Sequence, residues 1–431
     1  MHTQVQASVY RKIAWRLLPF LLLCYVFAQL TRFNISFAKQ QFTDDLEIND
    51  AVFGVAASLF YVGCIVFQVP AGIFTSRFGV RAALLCMMFA WGAAGTLMAF
   101  ARHGGDIYAL RFVLGAFQGS FFPTVILYLS CWFPDRLRGR INALFTSALP
   151  LGSIVAGPLA GVIMAGMDDF HGLRGWQWLF IVEGLPVILL AIAAYRLLTN
   201  RPESAAWLKD NERHIVLADA RAGRMVNRST DTPLHLRKVL PEAGTVLFGF
   251  IYFGYFCALN ALNLWGPSLL TMSSLERISS VGWISGLSAL VAAIGMLLIG
   301  VSSDRLMERR WHIGLSGIAS AACLLLLPLA SSSIAATASL IAVAGVGLYA
   351  ILGLFWTIPT AHLKLENRAS GLAFINMCGL CGGIVSPTLV GWLKVWTGSL
   401  YVGVGAIAIL LALSMMALLA FVPSRAGREG G

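Results

Sequence analysis

Twelve long apolar runs dominate this sequence of 431 residues. They lie near residues 16–38, 51–74, 82–101, 108–131, 140–166 and 176–198 in the first half, and near 243–264, 280–302, 312–330, 334–357, 369–393 and 399–422 in the second. An α-helix needs about 20 mostly apolar residues to cross the hydrocarbon core of a bilayer. The sequence therefore predicts an all-α membrane protein with twelve transmembrane helices.

The composition agrees with a chain that is surrounded mainly by lipid. Hydrophobic residues make up 58% of the sequence and charged residues only 12%, whereas a soluble domain carries about 25% charged residues. The formal net charge is +11, but the basic residues fall in the short gaps between the apolar runs. That distribution is typical of membrane topology signals. We therefore expect a lipid bilayer around the chain and no nucleic-acid partner.

The basic residues are also unevenly divided between the two sides of the predicted membrane. One side carries both tails and Arg77, Arg81, Arg136, Arg138, Arg140, Arg305, Arg309, Arg310, Lys364 and Arg368. The opposite side carries only Lys39, Arg102, Arg174, Arg277 and Lys394. Because cytoplasmic loops are enriched in Lys and Arg, both termini are predicted to be cytoplasmic. The short loops favour a bacterial inner membrane.

The chain divides into two related halves. A polar, charge-mixed stretch at 199–241 interrupts the apolar pattern, which predicts a six-helix bundle at 1–198, a cytoplasmic linker at 199–241 and a second bundle at 242–431. Segments 72–77 and 152–161 have counterparts at 300–305 and 382–391, at nearly the same offset. Paired six-helix halves are an architecture of secondary transporters. The Gly- and Pro-rich segments of the fifth and eleventh spans are predicted to form the seam, either as a rocking surface or as close packing alone.

The two repeated loops resemble the loop motif of the major facilitator superfamily. That motif, a glycine followed by an acidic-basic pair, another glycine and a basic residue, is similar to segments 72–81 and 300–310. In the superfamily these loops latch the helix ends, so the resemblance implies a cytoplasmic gate of Arg77, Arg81, Asp304 and Arg305. Ser76 stands where an aspartate is usual, which implies a weaker first latch.

Further segments resemble the anion:cation symporter family, which includes tartrate-, phthalate- and sugar-acid-like permeases. Residues 31–38 read Thr-Arg-Phe-Asn-Ile-Ser-Phe-Ala, similar to the family's Asp-Arg-x-Asn-Ile-x-Phe-Ala, and segments 111–123 and 175–186 are also similar. The resemblance covers essentially the whole chain. It implies the major facilitator fold and transport of a small organic carboxylate by alternating access between the two halves.

Two arginines are the strongest candidates for binding such an anion. Arg32 and Arg111 lie most clearly inside the predicted spans, where an unpaired arginine costs at least about 2.5–3.5 kcal/mol. A guanidinium group can hold a carboxylate with two parallel hydrogen bonds. The first and fourth spans contain no Asp or Glu, so we predict that both arginines bind substrate. Pairing with a carboxylate elsewhere in the protein is the alternative.

The residues around these arginines indicate unusual coupling. The resemblance implies that other members of the family have an aspartate at the position of Thr31 and a glutamate at the position of Gln118. In related symporters those carboxylates are proposed proton carriers. Thr and Gln can bind a substrate but cannot exchange protons near neutral pH. Glu183, the other acidic residue well inside a span, is a candidate for proton coupling or for a structural bond. Uniport, exchange, and symport with a proton or another ion through a different site all remain open.

Other candidate binding residues follow from the same resemblance. Trp356 and Asn376 resemble substrate-facing positions, and Asn34 belongs to the motif of the first span. Helix packing is the alternative role for each, as it is for Asn260 and Asn263 in the seventh span. Cys64 stands where the resemblance suggests a tyrosine, which favours a smaller or more apolar carboxylate.

Several other functions are weighed against transport of an anion. A cation or drug exporter of the same fold would need a carboxylate within the membrane, and a non-transporting sensor on this scaffold is a further alternative. No zinc-protease helix, nucleophile elbow or phosphate-binding loop occurs, so we predict that the chain is not an enzyme. The Cys378-x-x-Cys381 pair has no second pair or nearby His to complete a metal site. We expect no cofactor, no metal and a monomer.

Overall fold

The computed structural model of the chain describes residues 2–227, 242–273, 278–363 and 368–422. The predicted positions Arg277 and Lys364 and the last part of the predicted linker, 228–241, lie outside the described residues. Within these ranges the chain is almost entirely helical.

The first half runs from α1 to α8. Its helices are α1 (His2–Asp45), α2 (Asp50–Phe78), α3 (Val80–Leu97), α4 (Gly104–Gln118), α5 (Phe121–Trp132), α6 (Asp135–Thr146), α7 (Ala148–Gly166) and α8 (Gly175–Leu197). A short polar helix, α9 (Asp210–Asn227), follows. The second half contains α10 (Ala243–Met272), α11 (Ile278–Arg305), α12 (Arg310–Leu326), α13 (Ile334–Leu354), α14 (Thr357–His362), α15 (Arg368–Thr397) and α16 (Leu400–Phe421).

These helices form the predicted set of membrane spans. In the described ranges, twelve segments are long and apolar enough to cross a bilayer, judged by length and composition. The prediction of twelve spans is confirmed. The first helix is longer than expected, because α1 already begins at His2 and carries the basic N-terminal residues on a continuous helix.

Three spans consist of two helices each instead of the single helix that the apolar pattern predicts. The fourth span breaks between α4 and α5, the fifth between α6 and α7, and the tenth between α13 and α14. A proline follows each break, namely Pro123, Pro150 and Pro359. A proline ring clashes with the carbonyl group four residues earlier and removes one backbone hydrogen bond. In each span that carbonyl group lies at or beside the observed break.

Consecutive spans run in opposite directions, so the two ends of the bundle differ. We call the end that carries His2, α9 and Phe421 the tail face, and the end that carries the α1–α2 turn the loop face. The two halves contact each other mainly through α2 against α15 and α7 against α11, with a smaller contact between α1 and α10. These pairs of helices define the seam.

Glycines allow the helix backbones to touch along this seam. A Cβ atom at Gly54 of α2 would clash with the Pro387 carbonyl group of α15, and one at Gly157 of α7 would clash with the Gly282 carbonyl group of α11. Small residues of this kind let spanning helices approach closely. The Gly-rich segments of the fifth and eleventh spans therefore lie at the interface between the halves, as predicted.

The described part of the predicted linker packs on the tail face of the first half. Lys12 Nζ lies 2.6 Å from Glu212 Oε2, and this hydrogen bond lowers the pKa of the Glu212 carboxyl group. The Tyr10 hydroxyl donates to Asp219 Oδ2 at 2.8 Å. The rings of Trp132 and Trp207 stack with centroids 5.5 Å apart. The segment up to α9 is therefore fixed to α1 and α5.

Gly115→Ala is expected to destabilise the first half, because the new methyl group would overlap the Phe60 carbonyl oxygen of α2. Overpacking of this kind costs about 1–3 kcal/mol. In the matched control Gly72→Ala, the added Cβ meets nothing within 4 Å, and alanine is favoured over glycine in a helix by about 1 kcal/mol. Thermal unfolding in detergent should give a lower Tm for the first variant only. An unchanged Tm for Gly115→Ala would contradict the close α2–α4 packing.

Candidate functional site

Arg32 lies on α1 with its guanidinium group between two aromatic rings of α2. Its Nη2 donates to the Tyr61 hydroxyl at 3.0 Å. The guanidinium carbon lies 5.0 Å from the Phe60 ring centroid and 5.1 Å from that of Tyr61. Cation–π contacts of this type stabilise a desolvated arginine by up to about 2 kcal/mol. The rings therefore fix the position of the cation without neutralising it.

The charge of Arg32 is not compensated by a protein carboxylate. Among the described residues, neither Arg32 nor Arg111 forms an ion pair, and Arg32 Nε has no hydrogen-bond partner. Structural pairing, the alternative weighed from the sequence, is therefore not observed in the described part of the chain. A half-buried cation without a carboxylate partner is costly, which makes the site suited to an anion from outside the protein.

Arg32 lines a cavity of about 490 Å³ between the two halves. Helices α1, α2, α4, α5, α10 and α15 contribute to its wall, together with the break between α13 and α14. The polar or aromatic side chains at its surface are those of Tyr25, Gln29, Arg32, Phe60, Gln68, Gln118, Phe121, Phe122, Phe256, Trp356 and Asn376. Arg32 is the one charged residue in the described lining. A concave site with few polar groups is typical of small-molecule binding.

Arg111 lies behind this cavity instead of in its wall. It is only 1% exposed, and its Nη1 donates to the Arg32 carbonyl oxygen at 3.2 Å. Its Nη2 makes a longer contact of 3.5 Å with Asn34 Oδ1. The two predicted arginines are therefore neighbours, but in this conformation only Arg32 reaches the cavity. Arg111 supports the backbone of α1 at the position of Arg32.

Gln118 and Thr31 form a neutral pair where the family resemblance suggests two carboxylates. Gln118 Nε2 donates to Thr31 Oγ1 at 2.9 Å and to the Ala28 carbonyl oxygen at 2.8 Å. Gln118 is the last residue of α4 before the break and lines the cavity. Both donor hydrogens of the amide are used within the protein, and Gln118 Oε1 has no partner.

Glu183 on α8 is separate from the cavity. It is 1% exposed, with Asn34 as the neighbouring polar side chain. Asn34 is itself buried and lies between Arg111 and Glu183. The candidate residues Asn34, Arg111 and Glu183 thus form a buried polar layer behind α1, while Arg32, Gln118, Trp356 and Asn376 face the cavity.

The second half contributes the opposite wall. Trp356 packs against Tyr252 of α10, with ring centroids 4.9 Å apart, and Asn376 of α15 faces the same space. Asn260 of α10 accepts a hydrogen bond from the Tyr61 hydroxyl. Because Tyr61 also accepts from Arg32, a chain of polar contacts joins α1, α2 and α10 across the seam.

Tyr61 and Gln29 are site residues that the sequence analysis missed. Tyr61 lies one helical turn before Cys64, the position singled out for a missing tyrosine. A polar aromatic residue in the middle of the span, on the same helix as Cys64, is the sequence feature that could have identified Tyr61. Gln29 lies one turn before Arg32 and shares its face of α1, so helical spacing alone could have identified it.

The four predicted gate residues do not meet across the seam. Arg81 Nε donates to the Tyr195 carbonyl oxygen at 3.0 Å, and its backbone N–H donates to Asn200. Asp304 pairs with Arg309 in the following loop. The Arg77 guanidinium group lies over the adjacent Phe78 ring, and Arg305 ends α11. These tail-face contacts lie within one half each.

The loop face, in contrast, carries a charged cluster that joins the two halves and lines a further cavity of about 500 Å³. Asp50 of α2 lies 2.5 Å from Lys39 Nζ of α1 and 2.7 Å from Lys394 Nζ of α15. Lys39 is only 7% exposed and also lies 4.5 Å from the Trp265 ring centroid. Ser58 of α2 adds hydrogen bonds to the Ile384 carbonyl oxygen at 2.6 Å and to Thr388 at 2.7 Å. The cluster therefore ties the halves together between the cavity and the loop face.

Asp50→Asn is expected to loosen this closure, because it removes the carboxylate that lies between two ammonium groups. Breaking a buried pair leaves an uncompensated charge. A cysteine introduced at position 58 (Ser58→Cys), with the native cysteines replaced, should react roughly tenfold faster with a membrane-impermeant thiol reagent, a change equivalent to ~1.4 kcal/mol. Asp44→Asn, on the same face and outside the cluster, is the matched control. Equal rates in all backgrounds would show that the cluster does not hold the face closed.

The sequence was compared with family models and with known proteins. The sequence model described as Major Facilitator Superfamily matches residues 21–387 and, in a second match, 248–430. A putative tartrate transporter of Agrobacterium vitis is 34% identical over 431 residues, covering 100% of this chain and 98% of that protein. A putative metabolite transport protein, NicT, of Pseudomonas putida is 35% identical over 413 residues, covering 96% and 94% of the two chains.

A solved structure has the same fold. The inward open conformation of the xylose transporter XylE from E. coli superposes with a TM-score of 0.76 at 15% identity, covering 96% of this chain and 98% of that one. The fold and the cavity at the seam define a polytopic membrane carrier. The chain belongs to the Major Facilitator Superfamily. It is an integral membrane protein and a secondary transporter of a small molecule, and not an enzyme.

Proposed function

We propose that the protein carries a small organic anion, with a carboxylate group, across the membrane by alternating access. The observation that carries this proposal is Arg32, a cation in the cavity wall with no carboxylate partner among the described residues. A substrate carboxylate would neutralise the charge of Arg32 and accept hydrogen bonds from its free N–H groups. The name of the tartrate transporter relative is consistent with an anionic substrate.

The remaining wall of the cavity supports an anion over a cation. The described lining contains no Asp or Glu, which an organic cation would require as a partner. Trp356 and the phenylalanines offer apolar surface for the carbon skeleton, and Asn376 offers an amide from the second half. A drug or cation exporter of the same fold is therefore the weaker hypothesis.

Arg111 and Asn34 are proposed to act on the substrate through Arg32 in this conformation. Arg111 donates to the Arg32 carbonyl group, and Asn34 accepts from Arg111. Together they hold the α1 backbone at the height at which Arg32 meets the cavity. Direct contact of Arg111 with substrate would require a different arrangement of α1 and α4.

The tail face is proposed to be cytoplasmic, on the basis of the excess of Lys and Arg at that face. The cavity lies on the tail side of the loop-face cluster, so this conformation would be inward-facing. The proposed gate residues Arg77, Arg81, Asp304 and Arg305 would then meet only in the opposite state. A bacterial inner membrane, cytoplasmic termini and a monomer are parts of the same proposal.

Transport is proposed to run without a proton carrier at the Thr31–Gln118 pair. Neither side chain titrates near neutral pH, and Glu183 is separated from the cavity by α1. Uniport or exchange of anions is the mode that this arrangement favours. An ion other than a proton would need a site that the candidate residues do not provide.

Arg32→Gln is expected to abolish stabilisation of the purified protein by its carboxylate ligand. A bound ligand raises Tm by mass action, and a ligand at 100 times its Kd contributes about 2.7 kcal/mol. The panel comprises carboxylates, their neutral esters and organic cations, and the matched charge control is Lys12→Gln on the tail face.

Counterflow of the same carboxylate in proteoliposomes separates a transporter from a sensor. A Tm shift caused only by cations or esters would overturn the assignment of an anionic substrate. Binding of a carboxylate without its counterflow would overturn the role as a transporter.

Gln118→Glu is expected to make transport proton-linked. The amide that donates to Thr31 and to the Ala28 carbonyl group would be replaced by a carboxyl group, which can donate one of those bonds when protonated and neither when ionised. A pH-sensitive dye in proteoliposomes should report up to about one proton moved per substrate for the variant and none for the wild type. Glu183→Gln is the control. Proton movement in the wild type that is lost in Glu183→Gln would identify Glu183 as the carrier instead.

A further inference from the structure

A second, smaller cavity adjoins the site on the side of the loop face. It has a volume of about 80 Å³ and lies between α1 and α7 of the first half and α10, α11 and α13 of the second. We call it the inner pocket. A volume of this size holds a few waters or a small organic group. Because it is lined by both halves, its shape depends on how they are held together at the seam.

Gln29 is the junction between the two cavities. It lines the main cavity and the inner pocket, and it is the one described residue common to both linings. It is 4% exposed, and it lies one helical turn before Arg32 on α1. Side chains at this spacing have Cβ atoms about 5–6 Å apart. A small molecule held at Arg32 therefore lies beside a side chain that also lines the inner pocket.

The inner pocket is mostly apolar, with a few polar groups and no charge. Its described lining contains no Asp, Glu, Lys, Arg or His. It offers the Asn263 amide, the Ser285 hydroxyl, which has no partner, and the Ser153 hydroxyl, which accepts from Tyr349 at 3.0 Å. The rings of Phe33 and Phe37 and the Pro267 ring form its apolar part. Such a surface binds neutral hydroxyl, amide or ring-nitrogen groups on a carbon skeleton.

Charge counting across the two cavities limits the substrate. Arg32 is the single charged side chain in the combined described lining. It can compensate one carboxylate. A second carboxylate on the same molecule would enter a pocket of neutral groups, and an uncompensated buried charge is unfavourable.

On the basis of the proposed function, we infer that the substrate is a monocarboxylate whose other end is uncharged and forms hydrogen bonds. Arg32 holds the carboxylate, and Gln29 and the inner pocket receive the neutral end. Gln29 is thereby a specificity-determining residue, since its amide meets the substrate at the entrance of the inner pocket. A dicarboxylate of the same skeleton is discriminated against.

The inference is tested with ligands that differ in one group. Binding of benzoate, 3-hydroxybenzoate and isophthalate to the purified full-length protein is measured by titration calorimetry, as is binding of glycerate and tartrate. Isophthalate carries a carboxylate where 3-hydroxybenzoate carries a hydroxyl group, and tartrate is glycerate with a second carboxylate. The hydroxylated monocarboxylate should bind at least about tenfold more tightly than its dicarboxylate counterpart in whichever series binds.

Gln29→Leu should remove the preference for the hydroxyl group. The affinity for 3-hydroxybenzoate is expected to fall roughly tenfold, the loss of one well-formed hydrogen bond in a desolvated site, while that for benzoate stays within about twofold. For glycerate, the corresponding comparison is with lactate, which lacks only the terminal hydroxyl group. Gln40→Leu, which changes an exposed amide of α1 outside both cavities, should leave both ratios unchanged.

The outcomes distinguish this inference from the function on which it rests. A dicarboxylate that binds as tightly as its monocarboxylate counterpart would overturn the inference and leave anion transport standing. An equal effect of Gln29→Leu on benzoate and 3-hydroxybenzoate would overturn the role of the inner pocket. Failure of every carboxylate to bind, while organic cations do, would overturn the proposed function itself.

Discussion

A guanidinium group in the middle of a membrane span requires a polar environment that the protein must build. Around Arg32 that environment consists of the Tyr61 hydroxyl, two aromatic faces and an open cavity, with no carboxylate among the described residues. The helices that provide these groups come from both halves. The position of one cation thus depends on the packing of α1 against α2, and on the seam that brings α10 and α15 to the other side.

The seam itself follows from the small residues of the chain. Backbone-to-backbone contact of α2 with α15 and of α7 with α11 leaves no space for a Cβ atom at several glycines. Without a hydrophobic driving force between helices in lipid, such close packing and interhelical hydrogen bonds hold spans together. The charged cluster of Lys39, Asp50 and Lys394 adds a polar tie at the loop face. The same contacts tie the halves together at the loop face and leave the main cavity on the tail side of that cluster.

The spans and their number could be predicted from the sequence because hydropathy alone decides which segments enter lipid. The breaks in three spans could not be predicted in this way: a proline follows each break by about four residues, but six other prolines lie inside unbroken helices. The site was only partly predictable. The arginines and Gln118 carry a strong signal because charged and amide groups are rare inside spans. The different depths of Arg32 and Arg111, and the link from Tyr61 to Asn260, depend on helix rotation and on contacts between residues about 200 positions apart. Periodicity within one helix contains no information on such contacts.

The attachment of α9 to the tail face has a consequence for how motion of this protein can be observed. Its described side-chain contacts, with Lys12, Tyr10 and Arg136, are with the first half. These contacts attach the helix to the first half, although α9 lies next to the second half in the chain. A spectroscopic probe on α9 would serve as a fixed reference point for the first half. Distances from it to probes on α15 or α16 would then report the relative rotation of the halves directly.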